Sequence, residues 1–196
     1  MADLITVNEY KDAEGLRGEK DDDRLAVPQV SDLVKKYCGI SFVDYYSTNK
    51  VETFSITDNH TSTIIMSESP LIEVSKVEER TTYSESYSEL TTGKYQYFVD
   101  TDADAIVRTN EQGAQIGWAK GMGAVRITYK AGFASTPRDL QLALFDLVNY
   151  YIKDEHKERR VLGGATVQNQ GTSGIRTSSD FPDHIKRVLD LYRVVI

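Results

Sequence analysis

The most regular pattern of apolar and polar positions lies between residues 125 and 152. Val125, Ile127 and Tyr129 alternate with polar residues, which predicts a strand with one buried face. Thr136 and Pro137 follow as the N-cap and first residue of a helix predicted over 136–158. This core helix must bury its apolar stripe against another element. The stripe consists of Leu140, Ala143, Leu144, Leu147, Val148, Tyr151 and Ile152.

Three further helices are predicted. Thr6 and Glu9 have the spacing of a capping box and open a helix over 6–14. A second helix, over 21–38, ends before Gly39, and Pro28 either kinks it or marks where its regular part begins. The last helix, over 182–194, carries apolar residues at helical spacing. Together with the core helix, these segments predict a small helical bundle.

Between residues 50 and 131 the apolar period changes to that of strands. Six short runs rich in β-branched and aromatic residues are separated by turn-forming clusters, which indicates an antiparallel meander or a small sandwich. The runs are VETFSIT, STIIMS, IEVSKVEE, KYQYFVD, AIVRT and AVRITYK.

The predicted fold class is therefore α+β, and the chain divides into four segments. Residues 1–49 supply N-terminal helices of the bundle, and 50–131 form an inserted antiparallel β domain. Residues 132–160 supply the core helix. Residues 161–196 are predicted as a flexible glycine-rich arm with a C-terminal docking helix. The terminal helix packs either on a neighbouring protein or on its own domain, and the sequence leaves both open.

Composition and charge narrow the possible functions. The 196 residues are 40% hydrophobic and 27% charged, as in ordinary soluble proteins. No apolar run approaches the length of a membrane span, and the first residues lack the pattern of a signal peptide. The net charge is −7, and because residues 156–196 carry +3, the first 155 carry −10. An acidic body argues against binding nucleic acid through its phosphates. The lone Cys38 rules out an internal disulfide and is interpreted as a small buried hydrophobe.

One acidic stretch partly matches a calcium-binding loop. Asp100, Asp102, Asp104 and Glu111 occupy ligand positions, but Ala105 stands where that loop requires glycine, and strands flank it. A polar hairpin connection with solvated carboxylates is the other interpretation, and the sequence leaves ion binding undecided.

No other pattern assembles into a catalytic site. His60, His156 and His184 lack metal-binding spacing, and no serine lies in a nucleophile motif. Trp118, between glycines, is interpreted as sheet-edge packing, an interface anchor or a sugar platform. We therefore predict no enzyme activity, no cofactor and, apart from the undecided acidic stretch, no metal site.

The order of several short motifs resembles a known family. A Thr-capped first helix (ITVNEYKDAEGL) and a second helix ending at YCGI are followed by the inserted β region, which contains a Pro-Leu-Ile strand at 70–72 and a Tyr-x-Val-Asp hairpin at 97–100. ITYKAGF then leads into TPRDL at the start of the core helix. Over residues 3–160 this order is similar to that of the head-to-tail connector (adaptor, head completion) proteins of tailed bacteriophages, in the branch with a β insertion.

The resemblance implies a structural protein of the virion neck, assembled in the host cytoplasm. In that family, a ring of about twelve copies sits beneath the portal, extends the DNA channel and docks the tail. The implied partners are the portal protein, neighbouring copies, tail or neck proteins and double-stranded DNA that passes without specific binding; no membrane is implied. The candidate portal or subunit interface comprises Arg176, Phe181, Ile185, Val188, Leu189, Tyr192 and Ile196.

Two alternatives remain open. One is another phage neck or tail component, such as a stopper or tail terminator. The other, less favoured, is a β-rich carbohydrate-binding module that uses Trp118 and surface tyrosines.

Overall fold

A computed structural model describes residues 2–15, 21–91, 96–152 and 181–194, with only the backbone described over 21–25. The chain forms two compact units. One is Ile40–Ala134, here called the β unit, and the other combines Ala2–Gly39 with the described part of 135–194, here called the helical unit. Within the described ranges, no helix is both long and apolar enough to span a bilayer.

In its described residues, the helical unit contains four helices. They are α1 (Val7–Glu14), α2 (Asp21–Cys38), α3 (Arg138–Ile152) and α4 (Asp183–Asp190). The capping box of α1 is formed, because the Thr6 hydroxyl oxygen accepts from the Glu9 backbone N–H and the Glu9 carboxylate accepts from that of Thr6. Pro28 lies inside α2, which continues to Cys38. The predicted residues 153–158 of the core helix lie outside the described residues.

Helix α3 is the central element of the helical unit. It packs against α2 and α4, and α2 also contacts α1 and α4. The Thr136 hydroxyl, predicted as the cap of α3, donates to the carbonyl oxygen of Leu4 and so connects the start of α3 to the N-terminal segment. The Ser31 hydroxyl accepts from the Leu4 N–H at 3.1 Å. These buried bonds hold the first residues of the chain in the helical core.

Over its described ranges, 40–91 and 96–134, the β unit contains seven strands in two antiparallel sheets. A four-stranded sheet has the order β1-β7-β3-β4, and a three-stranded sheet has the order β2-β6-β5. Because β7 lies between β1 and β3, the strands do not form a meander. The strands are β1 (Lys50–Ile56), β2 (Thr63–Ile65), β3 (Leu71–Glu79), β4 (Ser88–Leu90), β5 (Tyr97–Asp100), β6 (Ala105–Arg108) and β7 (Gly121–Ala131). The α+β fold class predicted from the sequence is confirmed.

Both sheets contribute to one hydrophobic cluster. Ile64 and Ile106 come from the three-stranded sheet, and Val77, Val125 and Ile127 come from the four-stranded sheet. Glu79 and Arg108 join the ends of β3 and β6 by an ion pair at 3.1 Å. The core and the ion pair together tie the two sheets into one unit.

Residues 40–49, predicted with the helices, belong to the β unit. The Glu68 carboxylate accepts from the backbone N–H and the hydroxyl of Ser41, at 2.8 and 2.9 Å. Gly132 allows the backbone at Phe42 to approach it closely, because a Cβ at position 132 would lie 2.0 Å from the Phe42 carbonyl oxygen. Its φ of +101° also favours glycine. These contacts are distant in sequence, which is why the helix-ending signal at Gly39 did not reveal them.

Candidate interaction surfaces

Helix α4 packs on its own unit. Of the interface residues predicted on it, Ile185 and Leu189 are buried in the helical core, whereas Phe181, Val188 and Tyr192 are half-buried. Buried side chains attach α4 to α2 and α3 and leave only its outer face for another protein. Arg176 and Ile196, predicted in the same interface, lie outside the described residues.

Two tyrosine hydroxyls also hold α4 and the residues after it. The Tyr37 hydroxyl donates to the Asp190 carboxylate at 2.6 Å, and the Tyr192 hydroxyl donates to the Asp139 carboxylate at 2.7 Å. Burial raises the pKa of Tyr37, and its hydrogen bond to Asp190 adds to this effect. Burial and then the Asp139 bond raise the pKa of Tyr192 to about 12. Both hydroxyls therefore remain protonated donors at neutral pH.

The face of α4 that remains accessible is apolar at its C-terminal end. Leu191 is 77% exposed, although large apolar side chains are usually buried. Phe181 packs edge-on against Tyr37 with ring centroids 5.0 Å apart, and the Arg193 guanidinium lies 5.4 Å from the same Tyr37 ring. This end of the helical unit therefore presents an exposed leucine beside an ordered aromatic and cationic cluster.

The predicted core-helix residues form the centre of the helical unit. Leu140, Leu144, Leu147 and Val148 are buried, and Tyr151 is half-buried. Cys38 is also buried, and desolvation raises the pKa of its thiol to about 12, with the nearby Asp190 charge acting in the same direction. A thiol of this kind stays protonated at neutral pH and packs as a hydrophobe, as its sequence context indicated.

The acidic stretch is the connection of the β5–β6 hairpin. The Asp100 carboxylate accepts from the backbone N–H groups of Asp102 and Ala103, and the Asp104 carboxylate accepts from the Leu71 N–H. Glu111 lies on a separate turn beyond β6. In the described part of the chain, no three acidic, histidine or cysteine side chains converge on a possible metal position. The Asp100 and Asp104 carboxylates are engaged by backbone N–H groups, which stabilises the turn and joins it to β3.

Trp118 is a core residue of the β unit. It is 2% exposed and belongs to the hydrophobic cluster, with the Arg108 guanidinium 5.8 Å from its ring. A buried indole cannot stack on a sugar, which removes the feature that suggested a carbohydrate-binding module. Of the histidines, His60 is exposed, His184 lies 4.0 Å from Asp146, and His156 falls outside the described residues.

The outer face of the four-stranded sheet carries an alternating stack that the sequence did not indicate. Tyr83, Arg80, Tyr87 and Arg126, here called the Tyr–Arg ladder, alternate ring and guanidinium. The Arg80 guanidinium lies 4.5 Å from the Tyr83 ring and 4.7 Å from the Tyr87 ring, and that of Arg126 lies 4.1 Å from Tyr87. These distances are typical of cation–π contacts. Tyr83 and Tyr87 lie in a connection without apolar periodicity, so no local pattern marks them as partners.

Glu78 anchors the sheet end of the ladder. Its carboxylate accepts from Arg126 Nε at 2.7 Å and from Lys76 Nζ at 2.8 Å. The hydrogen bond from Arg126 and then that from Lys76 lower the pKa of Glu78 to about 2, against the opposing effect of desolvation. The ladder therefore ends in a carboxylate that stays ionised across the physiological range.

Comparison with known proteins decides the family. The model of the head completion protein family (HCP) matches residues 3–195, nearly the whole chain. The chain belongs to the head completion protein family. This confirms the family that the order of motifs suggested, and the match extends past the residues that carried the resemblance, into α4.

A curated relative agrees with this membership, and solved structures share the fold. A head completion protein of Escherichia phage T5 is 35% identical over 66 residues, which are 34% of this chain and 36% of the relative, so the match spans little more than a third of that protein. A chain from a structure of the neck of an empty GTA particle, computed with C6 symmetry, has a TM-score of 0.61 at 15% identity over 98% of this chain and 91% of its own. A chain from the neck of a native GTA particle, computed with C12 symmetry, has a TM-score of 0.57 at 14% identity, over 98% and 90%. At such identities these two structures establish the shared fold.

Proposed function

We propose that this protein is a structural head-to-tail adaptor of a tailed bacteriophage. It forms a ring beneath the portal, extends the DNA channel and docks the tail. The observation that carries the proposal is the match of the head completion family model to residues 3–195. The likeness over 98% of the chain to chains in two neck structures, one with C12 symmetry, supports placing it in the neck as one of about twelve copies.

The partners follow from that position. They are the portal protein, neighbouring copies of the same chain, tail or neck proteins, and the double-stranded DNA that passes through the ring. The net charge of −7 supports passage without binding, because acidic surfaces repel DNA phosphates over about 8 Å at physiological salt. The protein is assembled in the host cytoplasm and resides in the virion neck.

The adaptor does not act as an enzyme. The most reactive side chain type in the described residues, the Cys38 thiol, is buried with a pKa of about 12. The pKa values of the Tyr37 and Tyr192 hydroxyls are likewise raised, and each hydroxyl donates a hydrogen bond to a carboxylate. Their arrangement supports a role in packing α4.

The accessible face of α4 supplies the contact with the portal or a neighbouring subunit. Phe181, Val188 and Tyr192 contribute their exposed edges, Leu191 contributes an apolar anchor, and Ile185 and Leu189 hold the helix in place from below. A helix that is firmly held loses little conformational entropy on binding, which favours affinity.

Light scattering of the full chain mixed with its portal tests both parts of the proposal. The wild-type chain is expected to bind with about one copy per portal subunit. Leu191→Asp is expected to weaken binding about tenfold, and Ile65→Asp, which changes an exposed apolar residue of the β unit, is the matched control. Absence of wild-type binding contradicts the adaptor function, whereas undiminished binding of Leu191→Asp removes only α4 from the contact.

A further inference from the structure

Backbone carbonyl groups hold two side chains of the Tyr–Arg ladder, Arg80 and Tyr87, in place. Arg80 donates from Nε to the Gly123 carbonyl at 3.0 Å, from Nη1 to that of Tyr83 at 3.2 Å and from Nη2 to that of Met122 at 3.1 Å. The Tyr87 hydroxyl donates to the same Gly123 carbonyl at 2.7 Å. Because the Arg80 and Tyr87 side chains are held by these bonds and Arg126 by Glu78, a partner that docks there loses little of its binding energy to ordering them.

The outer end of the ladder has the composition of a protein interface. Tyr83 is 78% exposed, and the neighbouring Met122 is 71% exposed. Tyrosine, arginine and methionine are enriched where proteins meet, and tyrosine and arginine supply much of the binding energy. An exposed tyrosine and an exposed methionine beside an arginine that backbone carbonyls hold in place therefore favour a docking surface here.

The chemistry of Arg80 indicates what docks there. A guanidinium has five N–H donors, and within the described residues three of those of Arg80 are used, all by backbone carbonyls. Within those residues the other two N–H groups of Arg80 have no acceptor, so a partner can supply one. Glu85, in the same connection, is engaged by the Thr81 hydroxyl. A carboxylate of a partner is therefore the preferred ligand, since charge-assisted bonds from arginine are the stronger ones.

The chain carries a suitable carboxylate at the opposite end of the same unit. The β5–β6 turn contains the exposed Asp102 and is held in shape by the Asp100 bonds described above. That turn lies at the start of β3, where Asp104 accepts from Leu71 N–H, whereas Arg80 directly follows β3. Nine residues of strand separate the two ends by about 30 Å.

We propose that the acidic β5–β6 turn of one copy docks on the Tyr–Arg ladder of the next copy. A ring contact is heterologous and joins two different faces of each subunit, and here the two faces lie at opposite ends of β3 with opposite charge. Asp102 bonds the remaining Arg80 donors, while Tyr83 and Met122 pack around the turn. This inference rests on the ring proposed above and assigns one of its subunit contacts.

Disulfide trapping with full-length protein tests the contact. The double variant Tyr83→Cys/Asp102→Cys is mixed with the portal, oxidised with diamide and run on a non-reducing gel. We expect a series of multimers up to the closed ring, and no series from either single variant, because a heterologous contact never joins the same position twice. Cys38 is buried and does not contribute. Tyr83→Cys/Asp58→Cys, with its second cysteine at another exposed turn of the β unit, is the matched control.

A second measurement does not depend on introduced cysteines. Asp102→Arg is expected to weaken ring assembly on the portal about tenfold, and Asp58→Arg, with the same change in charge, less than twofold. If electron microscopy shows rings but the double cysteine variant gives no trapped multimers, the ladder contact is wrong and the adaptor function still holds. The same conclusion follows if Asp102→Arg and Asp58→Arg assemble equally well. Absence of any ring from the wild-type chain overturns both.

Discussion

Glu78, on β3, is a nearly buried acid that is held by two cationic side chains. Its residue surface is 5% exposed, and Arg126 and Lys76 both donate to its carboxylate. Removing the charge leaves a buried amide facing two cations, which costs more than loss of an exposed pair. Glu73, on the same strand, pairs with Lys130 at 2.9 Å, but its side chain is 57% exposed. Burial therefore distinguishes two ion pairs of similar geometry.

Glu78→Gln is expected to lower the free energy of unfolding at pH 7 by about 1–3 kcal/mol, and Glu73→Gln by less than about 1 kcal/mol. The folded pKa of Glu78, about 2, lies below the usual value for an unfolded glutamate, about 4.3. Its contribution is therefore complete above about pH 5 and is lost as the pH falls towards 2. Urea denaturation between pH 2 and 7 measures this dependence. Two results contradict this account of Glu78. One is an equal loss of unfolding free energy in Glu78→Gln and Glu73→Gln; the other is a Glu78→Gln variant that loses as much stability below pH 5 as the wild type.

Residues with local signals were predicted well, and residues with distant partners were not. The capping box at Thr6 and Glu9 depends on four consecutive residues, and it forms. Trp118 is buried by residues from other strands, and the Tyr–Arg ladder joins a loop, β3 and β7. Neither of these arrangements has a sequence period.

At the scale of elements, α4 depends on a few core contacts. It is only eight residues long, too short to be stable as an isolated helix, so its helicity comes from packing on α2 and α3. Leu189 is fully buried, whereas the nearby Leu191 is among the most exposed apolar residues described.

Leu189→Ala is expected to destabilise the protein by about 2–5 kcal/mol and to release α4 first, whereas Leu191→Ala costs less than about 0.5 kcal/mol. Hydrogen exchange measures this directly. Amides of 185–190 should lose protection in Leu189→Ala while those of α3 keep theirs. If both variants leave these amides equally protected, the core contact does not hold the helix.

The predicted elements agree with the structure where a period runs for several residues. The core helix and the six strand runs, which correspond to β1, β2, β3, β5, β6 and β7, were visible in this way, but β4 has three residues with one buried side chain, and the prediction missed it. The sequence did not predict the order of the strands either, because β7 pairs with both β1 and β3 across some fifty residues or more of chain. The sequence does not predict whether the terminal helix packs on its own domain or on a neighbouring protein, because an amphipathic stripe does not identify what covers it.

At the scale of the whole molecule, family membership and fold both support the proposed role as a structural protein of the neck. The model of the head completion family covers residues 3–195, and the Tyr37, Cys38 and Tyr192 side chains, whose pKa values are raised, are engaged in packing the helical unit. The rigid exposed surfaces, at the end of α4 and along the Tyr–Arg ladder, suit a subunit that contacts several proteins at once. Each surface alone is small, so assembly on a portal would gain from many copies binding together.

The position of the protein in the virion tests this account most directly. Cryo-electron microscopy of the particles that incorporate the chain should show its two units, repeated around the tail axis, between the portal and the first tail ring. Density for this chain in the capsid shell or the tail tip, or its absence from finished particles, would contradict the account.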